Sequence, residues 1–95
     1  MNFKVKKDIN GKKGSFYAVA NEQIIGEMLF SITDENTITI EHTEVQKQNK
    51  GEGVGKQLLE FAVNDARANQ YKIIPKCPFV ESEFEKHSQF LDVKA

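Results

Sequence analysis

The chain has 95 residues, enough for one hydrophobic core and too few for two, with the 39% hydrophobic and 28% charged content of an ordinary globular domain. Its net charge is −1 and its cations are twelve Lys with Arg67 as the lone Arg, which argues against nucleic-acid binding, where a basic excess with Arg is the rule. No apolar run approaches the ~20 residues that cross a bilayer, Met-Asn-Phe-Lys opens no signal peptide, and a single cysteine cannot staple the fold, so no membrane contact, a free Cys77 thiol and a cytoplasmic location are expected. Phe3 and Val5 alternate with Lys4 and Lys6, as on a strand with one wet face that carries the local basic cluster. Asn10-Gly11 signals a turn, and a second strand over about residues 15–20 puts Phe16, Ala18 and Ala20 on one face and Tyr17 and Val19 on the other. A turn at 21–23 leads into a strand at 24–32, with Met28, Phe30 and Ile32 opposite Leu29. Asp34-Glu35-Asn36 turns again into the β-branched stretch 37–45, where His42 is expected to share a face with Ile38 and Ile40. Loops this short join hairpins, so the strands form an antiparallel meander.

The period then changes from two to 3.6. Val54, Leu58, Leu59, Ala62, Val63 and Ala66 make an apolar stripe on a helix that should end near Asn69. A short strand at 72–76 follows, stopped by Pro75 and parallel to 37–45 across the helix, which completes a βαβ unit. A last helix from about Pro78 carries Val80, Phe84 and Leu91 on one side and puts Cys77 near its N-cap. The chain reads as one domain over residues 1–95.

Lys50-Gly51-Glu52-Gly53-Val54-Gly55 joins strand to helix. Its glycines admit close backbone approach, and the helix after it has no Ser, Thr, Asp or Asn immediately before its first turn. Uncapped N–H groups at the positive end of a helix make a site for a pyrophosphate; a flexible loop that simply starts the helix is the alternative. The P-loop ending is missing, since Gly55-Lys56 is followed by Gln57, and the glycine spacing is not that of a dinucleotide-binding turn.

The loop resembles the acyl-CoA signature of the GNAT superfamily, Arg/Gln-x-x-Gly-x-Gly/Ala, with Lys50, Gly53 and Gly55 at those positions and Leu58-Leu59 following at the usual spacing. Glu41-His42-Thr43-Glu44-Val45, Pro75-x-Cys77-x-Phe79 and Phe84-Glu85-Lys86-His87 stand in the order of the minimal, YjdJ-type branch, so the resemblance spans roughly residues 38–91. Lys50 replaces Arg or Gln, Phe79 stands where the branch often has Tyr and so lacks a hydroxyl proton, and Ser88 stands where it often has Pro. The resemblance implies an α/β fold of α+β type with a mixed sheet: an N-terminal antiparallel meander, then βαβ, then a C-terminal helix. It implies acetyl-CoA as cofactor, with the pantetheine arm between strands 37–45 and 72–76, and no metal. Val45 would pair with pantetheine amides and Gly51, Gly53 and Gly55 would take the pyrophosphate; Lys50, Val54, Lys56, Cys77 and Phe84 complete the expected cofactor-binding residues.

Acetyl transfer to an amine needs a held thioester, a deprotonated nucleophile and a stabilised oxyanion. Cys77 and His42 are the candidate catalytic residues. A thiol at a helix start lies near the positive dipole end, opposed here by Glu81 and Glu83, both expected in the first turn; a buried inert cysteine is the alternative. His42 is the residue type suited to amine deprotonation, with Glu41 and Glu44 as other bases, while His87 reads as capping or surface. No helix covers the acceptor side between the first two strands, so an open groove suits a large amine such as a protein Lys or N-terminus. The chain is expected to act as a monomer or weak homodimer, and binding of acetyl-CoA without turnover is the rival to catalysis.

Overall fold

The structure, a computed structural model, describes residues 2–95. Five strands form one sheet in the order β1 (Lys4–Asn10), β2 (Lys13–Ala20), β3 (Gln23–Asp34), β4 (Thr37–Val45) and β5 (Lys72–Pro75). The first four are antiparallel, and β5 runs parallel to β4 after the helix α1 (Val54–Asn69). Helix α2 (Pro78–Lys86) follows β5. Asn21 and Glu22 both take positive φ, 50° and 64°, the twist that a two-residue hairpin turn between β2 and β3 requires.

Alternation decides which sheet face is covered. Phe16, Ala18, Met28, Phe30, Ile38, Ile40 and Ile73 are buried, while Lys4, Lys6, Glu27, Leu29 and Ile74 are exposed on the other side. The stripe of α1 from Val54 to Ala66 packs on the buried face. Leu58 and Leu59 are fully buried there, and each contributes ~1.5–3 kcal/mol by leaving water. Phe16 anchors the middle, its ring 4.8 Å from Phe30 and 5.8 Å from Phe61. A polar tie joins sheet to helix at one end: Lys7 Nζ and the Tyr71 hydroxyl each lie 2.6 Å from Asp65 Oδ2.

Two expectations are overturned. Ile40 pairs with Phe30 but His42 pairs with Leu29, so Glu41 is an extra residue on β4 and forms a β-bulge. One inserted residue swaps faces. His42 therefore leaves the face of Ile38 and Ile40 for the exposed one, and Thr43 turns inward opposite Met28. The last helix also stops sooner than expected, at Lys86, with His87 as an extended C-cap at φ −125° and ψ 94°. A 3-10 turn at Ser88–Val93 replaces its continuation. Its three-residue period sends Phe90 and Val93 into the core and leaves Leu91 52% exposed rather than beside Val80 and Phe84. Arg67 on α1 clamps this turn, bonding both carboxylate oxygens of Asp92 at 2.8 and 2.9 Å and the Gln89 carbonyl at 2.6 Å.

Candidate active site

The parallel pair β4–β5 is short, matching Thr37–Ile40 to Lys72–Pro75. Pro75 has no N–H to extend it, and the last tie is the Cys77 N–H donating to the Ile40 carbonyl at 2.9 Å. Beyond that point the strands part. The β4 edge from the bulge to Val45 has lost its parallel partner, so alternate backbone groups there face open space. A cleft of about 520 Å³ lies in the gap. Thr43, Glu44 and Val45 form one wall, the segment from Asn49 to Lys56 supplies the floor, and Phe79 and Glu83 of α2 form the far side.

The floor is the start of α1. Gly53 is the N-cap at φ 77°, a left-handed conformation that a β-carbon disfavours, and no side chain caps the helix. Gln57 N–H is the first to reach a helical carbonyl, that of Gly53 at 3.0 Å, so the N–H groups of residues 54–56 have no partner within the helix. The first turn holds no acidic residue, and Lys50 and Lys56 line the same space. Positive partial charge thus gathers at one end of the cleft. Glu52 is exposed and does not line it. At Gly55 a β-carbon would come within 3.2 Å of the Phe79 ring; its absence lets α2 close against α1.

The expected cofactor residues divide into two sets. Val45, Lys50, Gly51, Gly53, Val54, Gly55 and Lys56 all line the cleft. Cys77 and Phe84 do not, and each is 3% exposed. Cys77 is the N-cap of α2, and its Sγ lies 3.4 Å from Oγ1 of Thr43, so a hydroxyl stands between the thiol and the cleft. His42 sits on the outer face with its side chain 59% exposed, its Nε2 3.4 Å from Oε2 of Glu44 at the rim. Glu41 is fixed on that outer face by the Ser31 hydroxyl at 2.8 Å. This hydrogen bond first, and nearby Lys13 second, hold its carboxyl below the ordinary value.

Thr43, Asn49, Phe79 and Glu83 were not among the expected cofactor residues, yet they line the cleft. Asn49, 4% exposed, is buried beneath the loop at the end of a 3-10 turn that no periodicity announces. Thr43 faces inward only because of the bulge. Only Glu81 lies in the first turn of α2; Glu83 is one turn after Phe79, the i, i+4 spacing that puts both on one helix face. With the helix starting at Pro78, as expected, the first turn closes at Glu81, and counting four residues on from Phe79 would have found Glu83.

An unpaired strand edge, an uncapped helix start and two flanking Lys suit an extended ligand with amides along its length and an anion at one end. A family model described as GCN5-related N-acetyl-transferase matches residues 15–93. The chain is similar to the solution structure of a GCN5-like protein from Staphylococcus aureus, at 34% identity and TM-score 0.71, over 95% of this chain and 87% of that one. A GNAT family acetyltransferase from Elizabethkingia anophelis, crystallised with acetyl-CoA, shares the fold at TM-score 0.64 and 20% identity, over 76% of this chain and 63% of that one. A ribosomal-protein-alanine N-acetyltransferase from Brucella melitensis does so at TM-score 0.64 and 17% identity, over 90% and 64% of the two chains. Comparison with curated proteins gives no match.

Proposed function

The chain belongs to the GCN5-related N-acetyltransferase family, and from that premise we propose that residues 1–95 act as one minimal domain that binds acetyl-CoA and moves its acetyl group to an amine. The observation that carries this reading is the cleft itself, where β4 leaves β5 directly above an uncapped glycine helix start. The acetyl-CoA bound by the Elizabethkingia relative supports the same ligand. Backbone groups at Thr43–Val45 pair with the pantetheine amides; the N–H groups around Gly51, Gly53, Val54 and Gly55, with Lys50 and Lys56, hold the pyrophosphate. When bound, the thioester supplies the activated acetyl group. Phe84 packs in the core against Phe90, and Cys77 bears on the cleft through Thr43.

His42 is the proposed base. The bulge sets it beside Glu44 at the rim, where an acceptor arriving over the outer sheet face would meet it. Only the turn between Asn10 and Lys13 joins β1 to β2, so among the described residues no helix stands between those strands to screen that approach. A protein Lys or N-terminus fits this open groove, and the Brucella relative acts on a ribosomal-protein alanine; a small amine would need a wall from a second copy. The free thiol fits a cytoplasmic setting, and among the described residues no helix is long and apolar enough to cross a membrane.

The outward position of His42 and the burial of Cys77 favour one rival, a module that binds acetyl-CoA without turnover. Two measurements separate the readings. Acetyl-CoA at a hundred times its Kd should stabilise the fold by about 2.7 kcal/mol, seen as a raised Tm. Acetylation of a Lys-bearing peptide, followed by released thiol, is then expected of the enzyme and not of the sensor. Saturating acetyl-CoA with no Tm shift and no calorimetric heat sinks both.

A further inference from the structure

The sheet face opposite α1 carries exposed side chains on β1, β3 and β4, and its charges are unevenly placed. Register sets two rows across it. One runs Lys6, Tyr17, Glu27, Glu44 from β1 to β4; the next runs Asp8, Ser15, Leu29, His42. Glu27 and Glu44 stand directly opposite each other, an arrangement of like charges that costs a sheet stability. Lys6 has the sign to relieve them but sits two and three strands away, about 10–15 Å. Among the described residues Lys6, Asp8 and Glu27 make no ion pair within the chain. Apolar surface lies between these charges, with Leu29 40% and Ile24 47% exposed.

We propose that this face is self-complementary and that two copies of the chain pair through it, about a two-fold axis running along the strands between β2 and β3. Such an axis lays β1 of one copy over β4 of the other and β2 over β3, and it keeps the rows in step. Lys6 then meets Glu44 of the second copy and Asp8 meets its His42. The Tyr17 hydroxyl meets Glu27, and Val19 meets Ile24. Every contact occurs twice. A two-fold across the strands would lay acidic β4 over acidic β4, so charge selects the first axis. Four strands over about six residues give a footprint on the order of 400 Å² on each copy. A standard interface takes about 800 Å² per partner, so this dimer is a transient one. A second copy there would also stand over His42, where the groove is otherwise open to a large acceptor. The pairing requires no coenzyme, so its failure would leave the acetyl-CoA reading untouched.

The test is sedimentation velocity of the full chain at low salt, from about 10 μM to about 1 mM, the range of a transient interface. The wild type should move from monomer toward dimer as concentration rises, and back toward monomer as salt screens the pairs. Lys6→Glu and Glu44→Lys should each weaken self-association at least ~10-fold, because each sets like charges together at both contacts. An equal mixture of the two variants should regain the dimer, since unlike charges then meet at both. A wild type that stays monomeric at about 1 mM overturns the proposal. So do variants that dimerise as well as the wild type, or a mixture that does not recover. Should a variant not fold, amide chemical-shift changes of the wild type on dilution still decide. They should fall on β1 to β4, and changes confined to α1 and α2 overturn the interface. A Lys-bearing peptide that moves the β1 to β4 amides of a chain that never dimerises gives the face to an acceptor instead.

Discussion

Gly53 holds a left-handed conformation at the start of α1. Its φ of 77° costs a residue with a β-carbon ~1–2 kcal/mol, and nothing lies within 4 Å of where that carbon would be. Gly53→Val should therefore leave the fold standing, with Tm a few degrees lower, while the added side chain fills the space the pyrophosphate needs. Calorimetry with coenzyme A should find binding lost. Cys77 poses a different question, because it is buried one hydroxyl away from the cleft. If it carries the acetyl group, intact-mass spectrometry after incubation with acetyl-CoA alone should show one acetyl added, mapped to its peptide. Full turnover by Cys77→Ala would remove the thiol from the mechanism. Tyr71 tests the sheet-to-helix tie instead. Burial, and then its hydrogen bond to Asp65, push its phenol well above the ordinary value. A raised folded value means that this contribution is whole below pH ~10, where the unfolded phenol begins to ionise, and is lost as pH rises further. Tyr71→Phe should accordingly show a shallower loss of stability above pH 10 in alkaline denaturation curves.

Along each element, the sequence was legible wherever one period ran unbroken. The α1 stripe from Val54 to Ala66 is buried residue for residue, and Met28 and Phe30 oppose Leu29 as alternation requires. It failed where one residue changed the count. Nothing in Ile40-Glu41-His42 marks a bulge, because Glu41 and His42 are both tolerable on either side of that break; only pairing with β3 decides it. The final helix failed for a related reason. Ser88 and Gln89 permit either helix type, and Phe90 with Val93 reach the core only on a three-residue turn. The glycine end of the cleft was legible because glycines without a capping side chain have a local meaning. Glu83 was not, because only the packing of α2 decides that its Phe79 side faces the cleft. The bulge can be tested directly. Deleting Glu41 should close the bulge and leave His42 opposite Leu29 on the outer face and Thr43 inward opposite Met28, since those pairs are already consecutive on β3. Chemical denaturation should show the fold retained, and an equally short chain that loses Thr43 instead should be the less stable of the two.

For the whole molecule, charge is unevenly spread over a chain whose net charge is only −1. Lys50 and Lys56 stand at the loop end of the cleft and Glu44 and Glu83 along its sides, so attraction for an anion is local and exposed to screening. The Kd for coenzyme A should rise several-fold between about 0.05 and 0.5 M salt, as the Debye length falls well below 10 Å. Lys50→Ala and Lys56→Ala together should flatten that dependence. The stripe of α1 covers one face of the sheet, and this leaves a visible imprint on how the chain can vary. Substitutions along β4 should be tolerated and rejected by turns, with Ile38 and Ile40 intolerant at even positions. After Glu41 the rhythm slips by one, and the intolerant sites become Thr43 and Val45. A saturation-mutagenesis map would thus record the bulge as a phase jump, readable from fitness alone.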